Sequence, residues 1–593
     1  MRKLERSNFM EKWILVNRRA DLKRIAETFH IDPLVAKLMR NRDIIEDRDI
    51  QAYLYPSLKE LYDPFLLKDM KKAVEIVKTA IEKKQKIMAV TDFDCDGICT
   101  GYILKHGLEK LGADVCVEIP ERIRDGYGIN SRIVQDAADQ GVKLIITGDN
   151  GIAAKEIIEE AKSYGIKVVV TDHHEVPYTV EKNKRVYQLP DADAVVDPKR
   201  QDCPYPYDGI CGAVVAWKLI QAIYMNMGFG MEKAEEFLPF AAIATVADVM
   251  DLRDENRIIV KNGLSAINQT NHIGLRELIR ANGLEQVTSY SIGFVLGPCL
   301  NSSGRLKTAD LALKLLDTQN VDEAKELAAQ LKLLNQERKE LTEKGIQQAK
   351  AVIEENKLYN DSVLLVKLSE VHESIVGIIA GRVKETYNRP VIVLTNVKDG
   401  LKGSGRSVEQ YDIFEKVNQF KGLLKRFGGH PMACGLSMEE ANVDKLREGL
   451  NGESGLREED LVPTVRIDAQ VDLSYFTEDV VCGLEVLEPF GKGNTKPVFG
   501  EKQIKVMRLR YIGQNNQYLR LTICNKSPVE RTALFFGEAE QFVAYFTEKY
   551  GRQEVDKAFR NQKNKIEMTI TYYPQINVYN GVSSVQFIIS HYR

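Results

Sequence analysis

Acidic and imidazole side chains follow three apolar runs that have the pattern of buried β-strands. The segments are residues 92–97 (DFDCDG), 148–151 (GDNG) and 171–174 (TDHH). Because ligands bind outside the carboxyl ends of the strands in an open parallel sheet, we expect these side chains to converge in one pocket. Ligation by carboxylates and an imidazole, without cysteine, favours Mg²⁺ or Mn²⁺, and two such ions activate water against a phosphodiester. The sequence therefore predicts a two-metal site that hydrolyses a phosphate ester.

Each segment has an ordinary alternative interpretation when it is taken alone. Asp-Gly clusters form good turns and helix N-caps, and Asp248, which ends an apolar helical run, would more often be solvated. The repetition at successive strand ends, with two adjacent histidines, is what favours a site. In an extended segment His174 points away from His173. His173 is therefore the predicted ligand, oriented by Asp172 or a backbone carbonyl, and His174 is expected to meet the substrate.

A second set of segments is rich in glycine and contains arginine or histidine. They are residues 403–407 (GSGRS), 427–433 (FGGHPMA) and 301–305 (NSSGR), with Arg122 just before 126–128 (GYG). Glycine lets a backbone approach a phosphate closely, and arginine binds phosphate bidentately. These segments are therefore candidates for holding a substrate backbone or its terminal phosphate. Ordinary glycine-rich turns are an equal alternative for each segment taken singly.

Strand and helix patterns alternate between residues 70 and 196 at the spacing of βαβ units, which predicts a doubly wound parallel sheet. A second strand-and-helix unit extends from 362 to about 452. Between them, residues 321–355 have apolar positions at helical spacing and predict a long connecting helix. A coiled-coil dimer is the alternative, but the apolar seam lapses at Arg338 and Gly345. The chain is therefore expected to be an α/β protein.

The last part of the chain, from about residue 465, has the pattern of several short strands. Arginines and tyrosines are interleaved in it: Arg508, Arg510, Arg520, Tyr511, Tyr518, Tyr572, Tyr573 and Tyr579. A small barrel of this kind can track a nucleic-acid strand through charge and base stacking. The signal is weak by itself, because β-domains are rich in tyrosine in any case.

Length and composition limit the class of protein. A chain of 593 residues should divide into about three or four domains. Its net charge of −3 excludes a uniformly basic surface, and its nine scattered cysteines, without a CxxC pair, indicate neither a disulfide framework nor a thiolate zinc site. No apolar run reaches the roughly 18 residues of a membrane span, and no secretory signal is visible. A cytoplasmic protein without a membrane segment is the expectation.

The motifs resemble those of the RecJ family in the DHH phosphoesterase superfamily. Residues 92–97 are similar to the family's first motif, Asp149 to its second, residues 172–174 to the motif that names the superfamily, and residues 245–248 (TVAD) to its fourth. The DHH-associated domain of the family is resembled by residues 376–382 (VGIIAGR), 403–407 and 428–430 (GGH). The entry to the family's terminal OB domain is resembled by residues 487–494 (LEPFGKGN).

The resemblance implies a parallel-sheet catalytic domain joined by a long helix to a smaller α/β domain, with an OB-like β-barrel at the C-terminus. The expected limits are 1–70 for an N-terminal helical segment, 71–308 for the DHH domain, 309–356 for the connecting helix, 357–455 for the DHH-associated domain and 465–593 for the OB domain. We expect the N-terminal segment to form short helices that pack on the residues after it.

The resemblance also implies 5′-to-3′ hydrolysis of single-stranded DNA to 5′-mononucleotides in recombination and repair, dependent on two Mn²⁺ or Mg²⁺ ions. A single-strand-binding protein and a helicase would be partners. By motif position, the metal ligands would be Asp94, Asp96, Asp149, His173 and Asp248. Asp149 and His174 would be catalytic, the first bridging the ions and the second near the scissile phosphate. The DNA backbone or 5′ phosphate would be bound by Arg122, Arg305, Ser404 and Arg406, with His372 and His430 across the cleft between the catalytic domains.

Two positions depart from the family pattern. Thr91 stands where the family usually has glycine, and Val90 stands where some relatives have histidine. One ion would then have fewer protein ligands or would use Asp92. Asp92, like Asp172, is therefore either a further ligand or a group that orients the ligands.

Three other functions compete with this one. A DHH phosphodiesterase for short oligoribonucleotides or cyclic dinucleotides would need only the two catalytic domains, so the C-terminal barrel argues against it. A catalytically inactive single-strand-binding scaffold would have lost some of the acidic motifs. A pyrophosphate hydrolase would leave the barrel without a purpose.

Overall fold

The computed structural model describes residues 11–181, 184–526 and 529–593. The chain forms two compact units. The larger contains residues 57–461 and 491–493, and the smaller contains the described part of residues 1–56 together with residues 462–490 and 494–593.

A five-stranded parallel sheet forms the centre of the larger unit. Its strands, in spatial order, are Asp114–Glu118, Lys86–Thr91, Leu144–Gly148, Lys167–Thr171 and Ala194–Val196. From Lys86–Thr91 the chain runs to one neighbouring strand and then returns to the strand on the other side. Lys86–Thr91 and Leu144–Gly148 therefore flank the point where the strand order reverses, and ligands bind at such points in open α/β sheets.

Helices cover both faces of this sheet, as the βαβ prediction requires. Ile87 and Ala89 face one apolar cluster and Met88 and Val90 face the other, in the alternation of a strand buried on both sides. The helices of the first face include Met70–Glu82, Cys95–Glu109 and Gly212–Asn226, and those of the second are Ser131–Asp139 and Lys155–Ser163. The helix Ser131–Asp139 was not predicted from the sequence.

Helices continue from this domain to the second sheet. They are Leu238–Ala247, Asp254–Asn268, Ile273–Ala281, a continuous segment over 289–306, Asp310–Asp317 and Val321–Glu355. The long helix has the limits that the sequence predicted. Ala324 and Leu331 pack in the core of the parallel-sheet domain, and Ala349 and Ile353 pack in the core beyond it. The helix therefore connects two cores of one chain.

The second sheet of the larger unit also has five strands. Their spatial order is Leu424–His430, Ala433–Met438, Gly400–Arg406, Val391–Val397 and Leu364–Leu368, with only the last two parallel. The helices Val376–Tyr387, Ile413–Asn418 and Val443–Gly452 complete this domain.

Most of the glycine-rich residues lie in strands or a helix, which corrects the turn interpretation for them; residues 126–128 lie in a loop, and residues 431–432 form a hairpin turn. Residues 403–406 and 427–430 lie in strands, and residues 301–305 lie in a helix. The glycines serve close packing: a Cβ on Gly403 would lie 2.4 Å from Leu394 Cδ2, and one on Gly405 would lie 2.6 Å from Cys434 Sγ.

The smaller unit is built around a closed barrel, as predicted. Its strands are Ala469–Gln470, Phe499–Ile512, Tyr518–Cys524, Arg531–Phe535, Val582–Tyr592 and Glu567–Tyr579 in spatial order, and Phe499–Ile512 also pairs with Glu567–Tyr579 to close the ring. The described residues of this part also form helices, Ala539–Tyr550, Arg552–Phe559 and the short Glu478–Gly483, which the pattern of strands did not predict. Phe542 and Phe546 of the first helix are buried in the barrel core.

The helices near the N-terminus belong to the barrel unit, so the expectation that they pack on the residues after them is wrong. The helices Leu22–Phe29, Pro33–Asn41 and Asp47–Leu54 share an apolar core with the barrel. The strand Lys12–Leu15 pairs in parallel with Thr464–Ile467. Apolar periodicity shows that a helix has a buried face but does not specify what covers it.

No helix among the described residues is long and apolar enough to cross a membrane. All nine cysteines are free, and most of them are buried.

Candidate metal centre

The strand ends of the parallel sheet bring the predicted acids and histidines together. Potential ligand atoms within 4.8 Å of one another form three overlapping groups: Asp92 with Asp94 and Asp149, Asp96 with His173 and Asp248, and Asp149 with His173 and His174. All five predicted metal ligands are included, and Asp92 and His174 join them. Val90 is buried in the sheet and supplies no ligand.

The first motif is held in place by backbone hydrogen bonds. Asp94 is the N-cap of Cys95–Glu109, and its Oδ1 accepts the N–H groups of Asp96 and Gly97 at 2.9 and 3.1 Å. Asp96 accepts the N–H groups of Gly212 and Ala213 at 2.8 and 2.7 Å, at the start of the facing helix. A helix N-terminus stabilises a carboxylate. These two amides therefore hold the Asp96 carboxylate in place, and its remaining lone pairs can bind a cation.

Asp149 lies between the other groups in a restrained backbone conformation. Its φ of 59° is in the left-handed region, which few residues other than glycine, Asn and Asp adopt. The N–H of Asp149 donates to the Thr171 carbonyl at 3.1 Å. Gly212 allows the close approach of its helix, because a Cβ there would lie 2.6 Å from Asp149 Cβ. Strain of this kind concentrates at functional sites.

The two histidines have different surroundings. His173 is buried, with Nε2 at 3.0 Å from Asp149 Oδ1, 3.6 Å from Asp96 Oδ2 and 3.8 Å from Asp248 Oδ2. The side chain of His174 is 46% exposed, and its Nδ1 lies 2.8 Å from Asp172 Oδ1. Buried Asp172 also accepts the N–H groups of His173 and Ile152. Asp172 therefore orients the ring of His174 and the backbone of His173, whereas the sequence interpretation had it orient the His173 ring.

The electrostatics of the site favour a bound cation. Burial, together with neighbouring carboxylates, raises the pKa of Asp92, Asp96 and Asp149 and raises that of Asp248 to about 8. In the described part of the chain, none of these acids forms an ion pair with lysine or arginine. Asp92 Oδ1 is buried without a hydrogen-bond partner there. Oxygen donors that repel one another and lack a counter-charge suit a hard divalent cation.

The pKa values of the histidines shift in opposite directions. Burial lowers the pKa of His173, which favours the neutral imidazole that ligates metals. Burial also works to lower the pKa of His174, but its hydrogen bond with Asp172 prevails and raises it to about 9. Burial works to raise the pKa of Asp172, and the same hydrogen bond outweighs it and lowers this pKa.

Three arginines converge beside the acids. The Arg122 guanidinium lies 3.8 Å from the centre of the Phe93 ring, and its Nε is buried without a partner among the described residues. Arg305 donates to the Ser374 carbonyl at 2.7 Å, and Arg406 donates to Ser404 Oγ at 2.8 Å.

Burial and the nearby charge of Arg122 lower the pKa of Arg305 to about 10. Arg406 and Arg338 also contribute to this shift. Arg122, Arg305 and Arg406 form no ion pair with a carboxylate in the described ranges. Half-buried guanidinium groups without a carboxylate partner form a site for an anion such as phosphate.

The two predicted cleft histidines lie on the second sheet domain. His372 Nδ1 is 2.7 Å from Ser374 Oγ, next to the carbonyl that Arg305 binds. His430 ends an exposed edge strand. Burial lowers its pKa, and the charges of Arg406 and Glu175 also act on it. Glu175 follows the two histidines of the parallel-sheet domain, so a charge of that domain acts on His430.

Sequence reasoning missed two side chains of the site. The Tyr127 hydroxyl donates to the Asp149 carbonyl at 2.8 Å and lies 3.3 Å from the His174 ring nitrogens. Asn301 Oδ1 accepts the N–H of Cys95 at 2.7 Å. Both lie in the glycine-containing segments that the sequence indicated for substrate binding. The glycine pattern of these segments is the signal that could have identified the two side chains.

The parallel sheet with its acidic carboxyl edge belongs to the DHH class of domains. Residues 86–246 match the family model of the DHH family N-terminal domain, residues 360–453 that of the DHHA1 domain, and residues 467–591 that of the RecJ OB domain.

Curated relatives and a solved structure narrow this class. A single-stranded-DNA-specific exonuclease RecJ from Bacillus subtilis is 36% identical over 85% of this chain, and the match spans 63% of the relative's length. RecJ from Dickeya dadantii is 31% identical over 95% of this chain and 97% of its own length. The crystal structure of RecJ in complex with Mn²⁺ from Thermus thermophilus has a TM-score of 0.80 at 25% identity, covering 98% of this chain and 80% of that chain. The chain belongs to the RecJ family.

Proposed function

We propose that this protein is a Mn²⁺- or Mg²⁺-dependent exonuclease that degrades single-stranded DNA from its 5′ end to 5′-mononucleotides, in recombination and repair. One observation carries the proposal. In the described part of the larger unit, acids without a lysine or arginine partner lie together with His173, and arginines without a carboxylate partner lie next to them. The first suits a pair of divalent cations, and the second suits the phosphate of a strand end.

The ligand groups suggest how two ions would be shared. Asp96, His173 and Asp248 would hold one ion, and Asp92, Asp94 and Asp149 would hold the other. Asp149 would contact both, because it also lies 3.0 Å from His173. Asp92 would then replace the ligand that Val90 cannot provide. When bound, such ions lower the pKa of a water nucleophile and stabilise the leaving oxygen.

The protein's own groups would position the strand. Arg122, Arg305 and Arg406, with Ser404, would bind the 5′ phosphate, because they are unpaired cations and a hydroxyl gathered beside Asp94. Holding a terminal phosphate at this point sets the 5′-to-3′ polarity. His174, aligned by Asp172, would donate a hydrogen bond to the scissile phosphate. His372 and His430 would contact the strand from the second sheet domain.

The barrel unit offers a surface for the remainder of the strand. Arg508, Arg510 and Arg520 are exposed, and Arg510 lies directly opposite Arg520 in the antiparallel pairing. Like charges at such positions are unfavourable unless an anion lies between them, and a DNA backbone would provide it. The predicted tyrosines differ in availability, since Tyr572 is buried and Tyr579 is exposed.

Two protein partners follow from this substrate. A helicase would generate the single strands, and a single-strand-binding protein would cover them, so we include both in the proposal. The proposed site of action is the cytoplasm. The domain limits given from the sequence remain part of the proposal, with the N-terminal helices assigned to the barrel unit.

Degradation of end-labelled strands tests the proposal. Single-stranded DNA labelled at its 5′ or 3′ end would be incubated with Mn²⁺, beside duplex DNA, RNA and a cyclic dinucleotide. The expected result is early release of a labelled mononucleotide from the 5′-labelled strand and a ladder from the 3′-labelled one. Preferential hydrolysis of the cyclic dinucleotide or RNA would favour the competing phosphodiesterase, and strand binding without hydrolysis would favour an inactive scaffold.

A further inference from the structure

Two exposed aromatic rings stack on each other beside the metal centre. Tyr290 and Phe294 have ring centroids 4.7 Å apart and planes inclined by 24°. Their side chains are 67% and 57% exposed. As an i, i+4 pair they stabilise a helix by only about 0.2 to 0.5 kcal/mol. This small stabilisation does not explain why two large aromatic rings are exposed to water.

The pair lies on a helical segment with a capped start and a π-turn. Thr288 and Ser291 form a reciprocal capping box at the start of the segment. The next residues, Ile292–Leu296, form a π-helix. Its wide turn has a local cause, since Pro298 lacks an N–H and its ring would clash with the Phe294 carbonyl in an α-helix. Single π-turns occur often at functional sites.

The segment that carries the pair runs along the metal centre. A Cβ on Gly297 would lie 3.0 Å from Ala247 Cβ, and Ala247 precedes Asp248. Further along the same helix, a Cβ on Gly304 would lie 2.2 Å from the Phe93 carbonyl oxygen, and Phe93 precedes Asp94. The aromatic pair is therefore at the Asp248 end of the centre.

Arg305 is at the opposite end of the segment. The eleven steps along the chain from Phe294 to Arg305 span about 16 Å of helix. Stacked nucleotides advance by about 3.4 Å each along a strand, so the aromatic pair would lie within about five nucleotides of a phosphate held at Arg305.

We propose that Tyr290 and Phe294 form a stacking platform for a nucleobase on the 3′ side of the scissile phosphate. The occupant is a base of the single strand, because the platform is continuous with the proposed phosphate and metal sites and because an exposed aromatic face accepts any base without sequence preference. The inference rests on the proposed function and adds to it a contact that sets how far the strand advances.

An abasic scan tests the platform. Short 5′-phosphorylated strands, each lacking one base at a successive position from the 5′ end, would be degraded by the wild type and by the double variant Tyr290→Ala, Phe294→Ala. We expect one position within the first five to raise the KM of the wild type roughly five- to 150-fold, the range for loss of one base–aromatic stack. The double variant should have that raised KM on intact DNA and no further loss on the abasic strand, with kcat little changed.

Controls separate the possible failures. Tyr164→Ala removes another exposed tyrosine of the same unit and should behave as the wild type, and Phe294→Trp should keep the abasic sensitivity. If the wild type degrades DNA but the double variant shows the same abasic profile, the platform is wrong. If the wild type degrades no single-stranded DNA, the proposed function fails instead. Sedimentation in which only the wild type dimerises would identify the pair as a contact between copies and would also overturn the inference.

Discussion

Asp149→Asn separates the metal-binding role of Asp149 from its structural one. The amide has nearly the same shape, and asparagine tolerates the left-handed backbone at φ 59°. The substitution removes one of several mutually repelling buried carboxylates, so the metal-free variant should be at least as stable as the wild type. It also removes the carboxylate that we propose contacts both ions, so the response to Mn²⁺ should be lost.

The magnitudes follow from linkage. A ligand present at 100 times its Kd stabilises the folded state by about 2.7 kcal/mol, so two such ions contribute about 5 kcal/mol, and most of this should disappear in the variant. Loss of about 4 kcal/mol of transition-state stabilisation corresponds to a roughly thousandfold fall in kcat.

Thermal unfolding with and without Mn²⁺, together with nucleotide release from labelled single-stranded DNA, measures both effects. Asp136→Asn is the matched control, because that carboxylate is on a helix of the same domain and outside the ligand groups. An Asp149→Asn protein that keeps a tenth of the activity, or whose Tm still rises with Mn²⁺ as in the wild type, would refute the reasoning.

Three further outcomes are expected. Gly212→Ala places a methyl group 2.6 Å from Asp149 Cβ and should lower kcat at least tenfold and stability by about 1 to 3 kcal/mol, measured by kinetics and urea unfolding; unchanged values would contradict the packing. Burial lowers the pKa of His272 to about 4, whereas its pKa in the unfolded chain is about 6.5. Protons therefore bind the unfolded chain more tightly. The free energy of unfolding should be highest above about pH 6.5 and should fall by at most about 2 kcal/mol between pH 7 and 5. His272→Asn, which can still accept the Leu275 N–H, should lose less in the same urea titrations. A chain of residues 57–461 should still cleave very short oligonucleotides but bind long strands weakly; equal loss on both would count against strand binding by the barrel.

The sequence predicted the positions of the acids well because their signal is local. All but Asp248, which ends a helix, lie within a few residues of the end of an apolar strand, and the carboxyl ends of parallel strands necessarily share an edge. The limits of Val321–Glu355 were also predictable, since a long helix has many apolar positions at regular spacing and no strong breaker.

Contacts that depend on distant packing were not predictable in the same way. The side chain of Asp92 meets Asp94 and Asp149 only because Gly97 lets the turn fold closely over its backbone. The glycines at 403 and 405 would look the same in the sequence whether they formed a turn or a close-packed strand. They are needed here because Leu394 and Cys434, which are distant in the sequence, leave no room for a Cβ. Likewise, nothing local to the N-terminal helices indicates that their apolar faces meet a barrel hundreds of residues away.

The location of bound Mn²⁺ tests the central claim most directly. Anomalous scattering from crystals of the protein grown with Mn²⁺ should show two peaks about 3.5 to 4 Å apart. One should be bounded by Asp96, His173 and Asp248, and the other by Asp92 and Asp94, with Asp149 touching both. A single peak, or peaks away from these side chains, would contradict the proposed two-metal centre.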